Sequence, residues 1–319
     1  MLHFESLMNL PAPRSPDSTG PGPKSKFQTL KDSLWARGLK PRKMLGQNFM
    51  LDTNFANAIA RDSALDEKTL AIEVGPGTGC LTEALLAAHP QARVLAIELD
   101  TGLVGLLRES FATFIEQNRF TLLEGDALDG KHSISGELAA EILRISIAEK
   151  RPRRILVANL PYNAATPILA NIATDSGALG ISTAIVTIQL ELAERLLAKA
   201  GESAYGALSA FMALRTRGKI SRRVGNAVFW PRPDVDSAVI QLDFLPWPRE
   251  SRELATAPLE NSEVPDFQQF LQKVFSQRRK MLRAAIKPRT IPTGLGISPE
   301  ARAEDLSPEQ LLLLHRALS

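Results

Sequence analysis

One cysteine, Cys80, stands in the 319 residues, so no intrachain disulfide can form. That usage fits a reducing compartment, and a cytoplasmic protein is expected. No apolar run approaches the roughly 20 residues that a membrane helix requires. The N-terminus carries no basic segment followed by an apolar stretch, so it is not read as a secretory signal. No internal repeat is present. The one glycine-rich loop lacks a following Gly-Lys-Ser/Thr, which excludes a nucleoside-triphosphate P-loop. The net charge is only +3, a bias that says little by itself about a nucleic-acid partner; where the basic residues sit matters more. Hydrophobic residues at 44% and charged residues at 23% are ordinary for a globular chain. A core of this size needs no metal or disulfide staple, and no metal site is expected.

The length suggests one large domain and a smaller one. Residues 1–25 are crowded with proline, glycine and serine, cannot bury enough apolar surface to offset their ordering, and are expected to form a disordered arm. A short helix is expected from Leu30 to Trp35, ending near Gly38. Strand and helix signals then alternate. Strands are predicted at 70–74, 94–98, 120–123, 155–158, 181–188 and 239–244, with helices at 81–88 and 102–114 and a helix-like segment over 130–150. Such alternation implies a parallel sheet covered on both faces. After Phe244 the rhythm stops, and an irregular, acidic stretch with Pro246, Pro248 and Pro265 reads as a linker. One helix is then predicted through Phe267, Phe270, Leu271, Val274, Phe275, Leu282 and Ile286, which fall near helical spacing. A second begins at Ser307-Pro308 with Gln310 three residues on, a capping-box pattern. The division expected is 1–25, 26–244 and 245–319.

Glu73-Val74-Gly75-Pro76-Gly77-Thr78-Gly79 lies where a strand ends and a helix begins, so the backbone can turn tightly against a ligand. Glu98 ends the next strand, where a carboxylate can accept from both ribose hydroxyls of an adenosyl group. Asp126 follows the third strand, where an acid can meet an adenine amino group. Asn159 ends the fourth. The spacing is Gly-x-Gly-x-Gly rather than Gly-x-Gly-x-x-Gly, which disfavours a dinucleotide; a sulfonium cofactor needs no phosphate cradle.

Asn159-Leu160-Pro161-Tyr162 follows a strand downstream of that loop. An adenine amino nitrogen is a poor nucleophile because its lone pair is delocalised into the ring. It requires acceptors that draw the amino group toward tetrahedral geometry, and the Asn159 side-chain oxygen and Leu160 carbonyl can supply them. Tyr162 can stack on the base. This is catalysis by orientation and electrostatics.

With Lys43-Met44-Leu45-Gly46-Gln47-Asn48-Phe49, Phe229-Trp230-Pro231-Arg232-Pro233-Asp234-Val235-Asp236-Ser237-Ala238-Val239 and Gln277-Arg278-Arg279-Lys280-Met281-Leu282-Arg283, these motifs appear in an order that resembles the ribosomal RNA adenine dimethyltransferases. The likeness spans about residues 26–319. It implies a Rossmann-like α/β sheet of the S-adenosylmethionine-dependent methyltransferase type with helices on both faces, plus a small all-α C-terminal domain. It implies S-adenosyl-L-methionine as cofactor, held by Asn48, Met50, Gly75, Glu98, Asp126 and Asn159. It implies catalysis by Asn159, Leu160, Pro161 and Tyr162, with Phe229 as a second aromatic wall. The activity implied is N6,N6-dimethylation of two adjacent adenosines near the 3′ end of small-subunit RNA, on the 30S particle, by a monomer. Met50 stands where leucine is usual and Leu190 where lysine is common.

Arg278, Arg279, Lys280 and Arg283 form one basic cluster, with Arg279, Arg283 and Lys287 four residues apart on one helix face. Arg215, Arg217, Lys219, Arg222 and Arg223 form another. Both are expected to meet RNA phosphates, with Arg222, Arg223, Arg278, Arg279, Lys280 and Arg283 as contacts. The target adenine has to leave its stack. Three other readings stay open: a large-subunit RNA dimethyltransferase, a non-catalytic assembly factor on the same fold, and a nicotinamide oxidoreductase.

Overall fold

The apolar runs become a seven-stranded sheet in a computed structural model that describes residues 31–32, 34–130, 133–245, 259–278 and 280–319. The proposed arm, 1–25, lies outside the described residues, as does most of the linker. In chain order the elements are β1 (Phe49–Met50), α1 (Thr53–Asp62), β2 (Thr69–Val74), α2 (Cys80–Ala88), β3 (Arg93–Glu98), α3 (Thr101–Ser110), α4 (Ala112–Glu116) and β4 (Phe120–Glu124). A small hairpin of β5 (Leu128–Asp129) and β6 (Ser133–Ile134) leads into α5 (Gly136–Ala148) and β7 (Arg153–Asn159). Then come α6 (Ala165–Leu179), β8 (Ile181–Gln189), α7 (Leu190–Leu197), α8 (Ala207–Arg215), β9 (Thr216–Val224), β10 (Phe229–Trp230) and β11 (Ser237–Phe244). The C-terminal part adds α9 (Val264–Ser276), α10 (Leu282–Ala285) and α11 (Pro308–Leu318).

The sheet order is β4-β3-β2-β7-β8-β11-β9. The first five strands are parallel; β11 runs antiparallel to both β8 and β9. Side chains alternate between faces. Leu70, Ile72, Leu95, Ile97, Leu156 and Ala158 join one core beneath α5, α6, α8 and the C-terminal helices, whereas Ala71, Val94, Ala96, Ile155 and Val157 join the other beneath α1 and α2. The chain leaves β2 outward to β3 and β4, then returns to β7 on β2's other side. That reversal opens a crevice at the carboxyl ends of β2 and β7, where sheets of this kind take their ligands.

Four elements differ from expectation. The helix predicted over 102–114 is interrupted at Phe111, which turns inward (3% exposed) to pack on Phe120, dividing α3 from α4. The helix predicted through Ile286 stops at Ser276. Met281 is extended instead and bridges Arg302, so Arg283 and Lys287 do not share a helical face with the residues before them. The basic cluster of Arg215, Arg217, Lys219, Arg222 and Arg223, given no element in the sequence, spans the end of α8 and the edge strand β9. Residues 130–150 combine hairpin and helix rather than helix alone.

The C-terminal helices do not stand apart. Val264, Phe267, Leu271, Val274, Leu311, Leu312 and Leu314 belong to the same buried core as the sheet. Tyr205, 1% exposed, donates its hydroxyl to the Leu306 carbonyl at 3.0 Å and meets Phe275 edge-on. Ser307 and Gln310 cap α11 reciprocally, at 3.0 and 3.2 Å.

Candidate active site

The carboxyl ends of β2, β3, β4 and β7 surround a cavity of about 460 Å³. Its first wall is the glycine turn. Gly75, Gly77 and Gly79 hold φ of +68°, +59° and +85°, a region that side-chain-bearing residues rarely enter. A Cβ at Gly79 would lie 2.5 Å from the Phe111 ring, and one at Gly77 3.0 Å from Phe49. Glycine is therefore dictated by both conformation and space, and Gly79 begins α2.

Glu98, 5% exposed, fixes that turn to the end of β3. Its carboxylate accepts the Gly77 N–H at 3.0 Å and the Asp100 N–H at 2.9 Å. Burial pushes the Glu98 carboxyl above its ordinary value, opposed by those backbone donors. A carboxylate has about four acceptor positions, so Glu98 can take a further donor. Glu73 is buried in the same wall, with its Oε2 accepting from Thr82 Oγ1 at 2.7 Å. Burial, aided by the nearby Glu98 charge, raises its carboxyl to about 8 despite the Thr82 bond. Asp126 is exposed at the cavity edge and accepts the Leu128 N–H at 2.9 Å.

The opposite wall is Asn159-Leu160-Pro161-Tyr162. Asn159 donates its amide nitrogen to the Asn48 carbonyl at 2.9 Å, which leaves Oδ1 as the accepting end of the amide. Leu160 is buried, with its N–H bound to the Thr187 carbonyl of β8 at 3.1 Å. The Pro161 carbonyl accepts from Ala164 and Ala165 at the start of α6, and the Pro161 ring lies against Gly75, where a Cβ would come within 3.4 Å. Tyr162 is half-buried, its hydroxyl 3.2 Å from Ser237 Oγ.

Of the cofactor positions read from sequence, Asn48, Met50, Gly75, Glu98, Asp126 and Asn159 all line this one cavity, as do Leu160, Pro161 and Tyr162. Phe229 is not among the lining residues. It is 4% exposed, paired with Met50 between β1 and β10, and packs edge-on against Phe55. The lining also holds Leu99 and Asn163, which sequence reasoning did not single out, and Glu73, which it took only as the start of the glycine motif. Leu99 carried a signal, an apolar residue directly after the strand-end acid, and it is 47% exposed.

The donor set fits S-adenosylmethionine. It offers a carboxylate at the sheet crevice for a vicinal diol, an acidic edge at Asp126, apolar surface from Met50, Leu99 and Leu103, and a glycine turn that admits close approach. The volume lies within the roughly 300–1,000 Å³ usual for such sites.

Of the six basic residues expected to meet RNA, four are ion-paired. Arg222 meets Asp62, Arg223 meets Glu194 at 2.9 Å, Arg278 meets Glu304, and Arg283 lies 4.0 Å from Glu300. Lys280 is exposed; Arg279 lies outside the described residues. Arg215 corrects the expectation for its cluster. It is 3% exposed, and its guanidinium donates to the Thr174 carbonyl at 3.0 Å, Asn261 Oδ1 at 2.7 Å and the Leu259 carbonyl at 3.4 Å, tying α8 to the segment before α9.

Comparison with known proteins matches a family model described as ribosomal RNA adenine dimethylase to residues 38–319. The ribosomal RNA small subunit methyltransferase A of Rhodospirillum rubrum is 36% identical over 293 residues, 91% of this chain and 92% of its own length. That of Moorella thermoacetica is 34% identical over 293 residues, covering 88% and 94%. A dimethyladenosine transferase from Plasmodium falciparum superposes with a TM-score of 0.61 at 20% identity, over 85% of this chain and 98% of its own. The 23S rRNA methyltransferase ErmE gives 0.58 at 22%, over 85% and 99%. At those identities the two structures speak for the fold, a methyltransferase sheet with helices on both faces. The sequence matches speak for descent: the chain belongs to the ribosomal RNA adenine dimethylase family.

Proposed function

We propose that this chain transfers methyl groups from S-adenosyl-L-methionine to the N6 atoms of two adjacent adenosines near the 3′ end of small-subunit (16S) ribosomal RNA, two to each base, as a step in small-subunit biogenesis. The observation that carries this reading is the union, in one cavity, of the Glu98–Asp126 side with the Asn159–Tyr162 side. The small-subunit branch is favoured over the large-subunit one by relatives that bear the small-subunit name and align along nearly the whole chain.

When bound, S-adenosylmethionine supplies an electrophilic methyl group on a sulfonium centre. Glu98 would receive the ribose hydroxyls, Asp126 the adenine amino group of the cofactor, and Asn48, Met50 and Gly75 would complete its cradle. The substrate amino group would be gripped by Asn159 Oδ1 and the Leu160 carbonyl. Asn159 is pre-set for this, because Asn48 holds its amide nitrogen and so fixes which end accepts. Pro161 stiffens the backbone directly after the Leu160 carbonyl, and the Tyr162 ring would hold the base plane. No strong base is required, since the alkylated nitrogen sheds its proton readily. Phe229, buried behind β1, would act by supporting Met50.

RNA contacts at Arg222, Arg223, Arg278, Arg279, Lys280 and Arg283 belong to the same proposal. Binding would exchange the present carboxylate partners of Arg222, Arg223, Arg278 and Arg283 for phosphates. A cytoplasmic monomer acting on the 30S particle completes it; among the described residues no helix is long and apolar enough to cross a membrane. The test is methyl uptake from labelled donor by isolated small and large subunits lacking the modification. Uptake confined to small subunits is expected; uptake by large subunits alone would move the chain to the other branch.

A further inference from the structure

Ser237 opens β11 and is completely buried. It is held from both sides, opposite Gln189 of β8 and Val224 of β9, so its Cα cannot drift. Its Oγ is 3.2 Å from the Tyr162 hydroxyl, 75 residues away in sequence. Tyr162 itself sits in a turn after Pro161, with no regular element to fix its side chain. Its backbone is backed by Gly46, where a Cβ would come within 3.4 Å of the Tyr162 nitrogen. The tyrosine is thus restrained at both ends: the backbone by the Gly46 turn, the phenol by a strand of the central sheet. A ring tethered only at its backbone can swing about χ1 and χ2. One tied at its far oxygen to a buried, doubly paired strand residue cannot swing about χ1; that oxygen lies on the χ2 axis, so the tether fixes where the ring sits rather than its rotation about that axis. The phenol keeps its proton at neutral pH, since burial raises it, so the pair can remain hydrogen-bonded with either oxygen donating.

We infer that Ser237 is a positioning residue that fixes where the Tyr162 ring sits, and through it where the base presented for methylation stacks. This rests on the proposed role of Tyr162 as the stacking residue. Ser237 does not line the cavity, so its influence has to pass through Tyr162.

The two hydroxyls form a closed unit, so a double-mutant cycle isolates them. Ser237→Ala and Tyr162→Phe each delete one partner while keeping strand and ring, and kcat for methyl transfer to small subunits is expected to fall roughly 3- to 10-fold in each, the range of a single hydrogen bond. The double variant should be no slower than either single one. Cofactor affinity, read by calorimetry with S-adenosylhomocysteine, should stay at the wild-type value in all three. Additive losses, or a slow Ser237→Ala beside a fully active Tyr162→Phe, would overturn the inference. Should Ser237→Ala fold poorly, Tyr162→Phe alone decides, because it changes one half-buried atom: unaltered kcat refutes the tether. Tyr162→Ala tests the underlying reading separately. If that variant is fully active, the stacking role fails; if it is inactive while Tyr162→Phe is normal, only the tether fails.

Discussion

Replacing Glu73 by glutamine should flatten the dependence of stability on pH. The Glu73 carboxyl is buried on β2 beside the glycine turn, with Thr82 as its hydrogen-bond donor and the Glu98 charge nearby. Folding raises it from 4.5 to about 8. Between those values the folded protein keeps a proton that the unfolded chain has released, so stability falls as pH rises and levels off above the folded value. At about 1.4 kcal/mol per pH unit, the interval amounts to roughly 5 kcal/mol for a fully realised shift. Glutamine has nearly the same shape, can still accept from Thr82, and does not titrate. Urea unfolding of both proteins at pH 5 and pH 9 would read the effect. The variant should gain on the wild type by roughly 3–5 kcal/mol between the two conditions. Parallel profiles would refute the claim that this carboxyl is neutral in the folded protein at neutral pH.

Three further outcomes are expected. Glu98→Gln places an amide where the Gly77 and Asp100 N–H groups need acceptors, and cofactor affinity by calorimetry should weaken about 10- to 100-fold. Arg215→Met leaves the Thr174 and Leu259 carbonyls and Asn261 without their donor, so unfolding free energy should drop by about 2–4 kcal/mol while RNA affinity of the folded protein is unchanged; weaker RNA binding without loss of stability would restore Arg215 to the RNA surface. Binding of a small-subunit RNA fragment should weaken steeply with salt, and Lys280→Ala should lower the logarithmic slope by about 1; an unchanged slope would remove Lys280 from the interface.

β2 and β3 were legible because each is an apolar run ended by glycine or an acid, and such runs are buried on both faces. The cavity's two walls were legible for the same reason: Glu98, Asp126 and Asn159 fall at or just beyond strand ends, and the topology brings strand ends together. What escaped sequence reasoning depends on tertiary pairing. β9, with Arg217, Lys219, Arg222 and Arg223, reads as a charged surface because an edge strand shows polar side chains; only pairing with β11 makes it a strand. Arg215 looks identical to its basic neighbours, and its burial follows from the packing of α8 on the C-terminal helices. The break after Ser276 has no proline or glycine to announce it; the Met281–Arg302 bridge imposes it from 21 residues downstream. The family resemblance implies that Phe229 faces the base, whereas in the structure it pairs with Met50 and lies in the core.

Mass spectrometry of small-subunit RNA, recovered after incubation with methyl donor and either the wild-type chain or Asn159→Ala, tests the proposed chemistry most directly. The wild type should yield two neighbouring N6,N6-dimethyladenosines close to the 3′ terminus, and Asn159→Ala should yield neither. Methyl groups on another base, or an unchanged product from Asn159→Ala, would contradict the account.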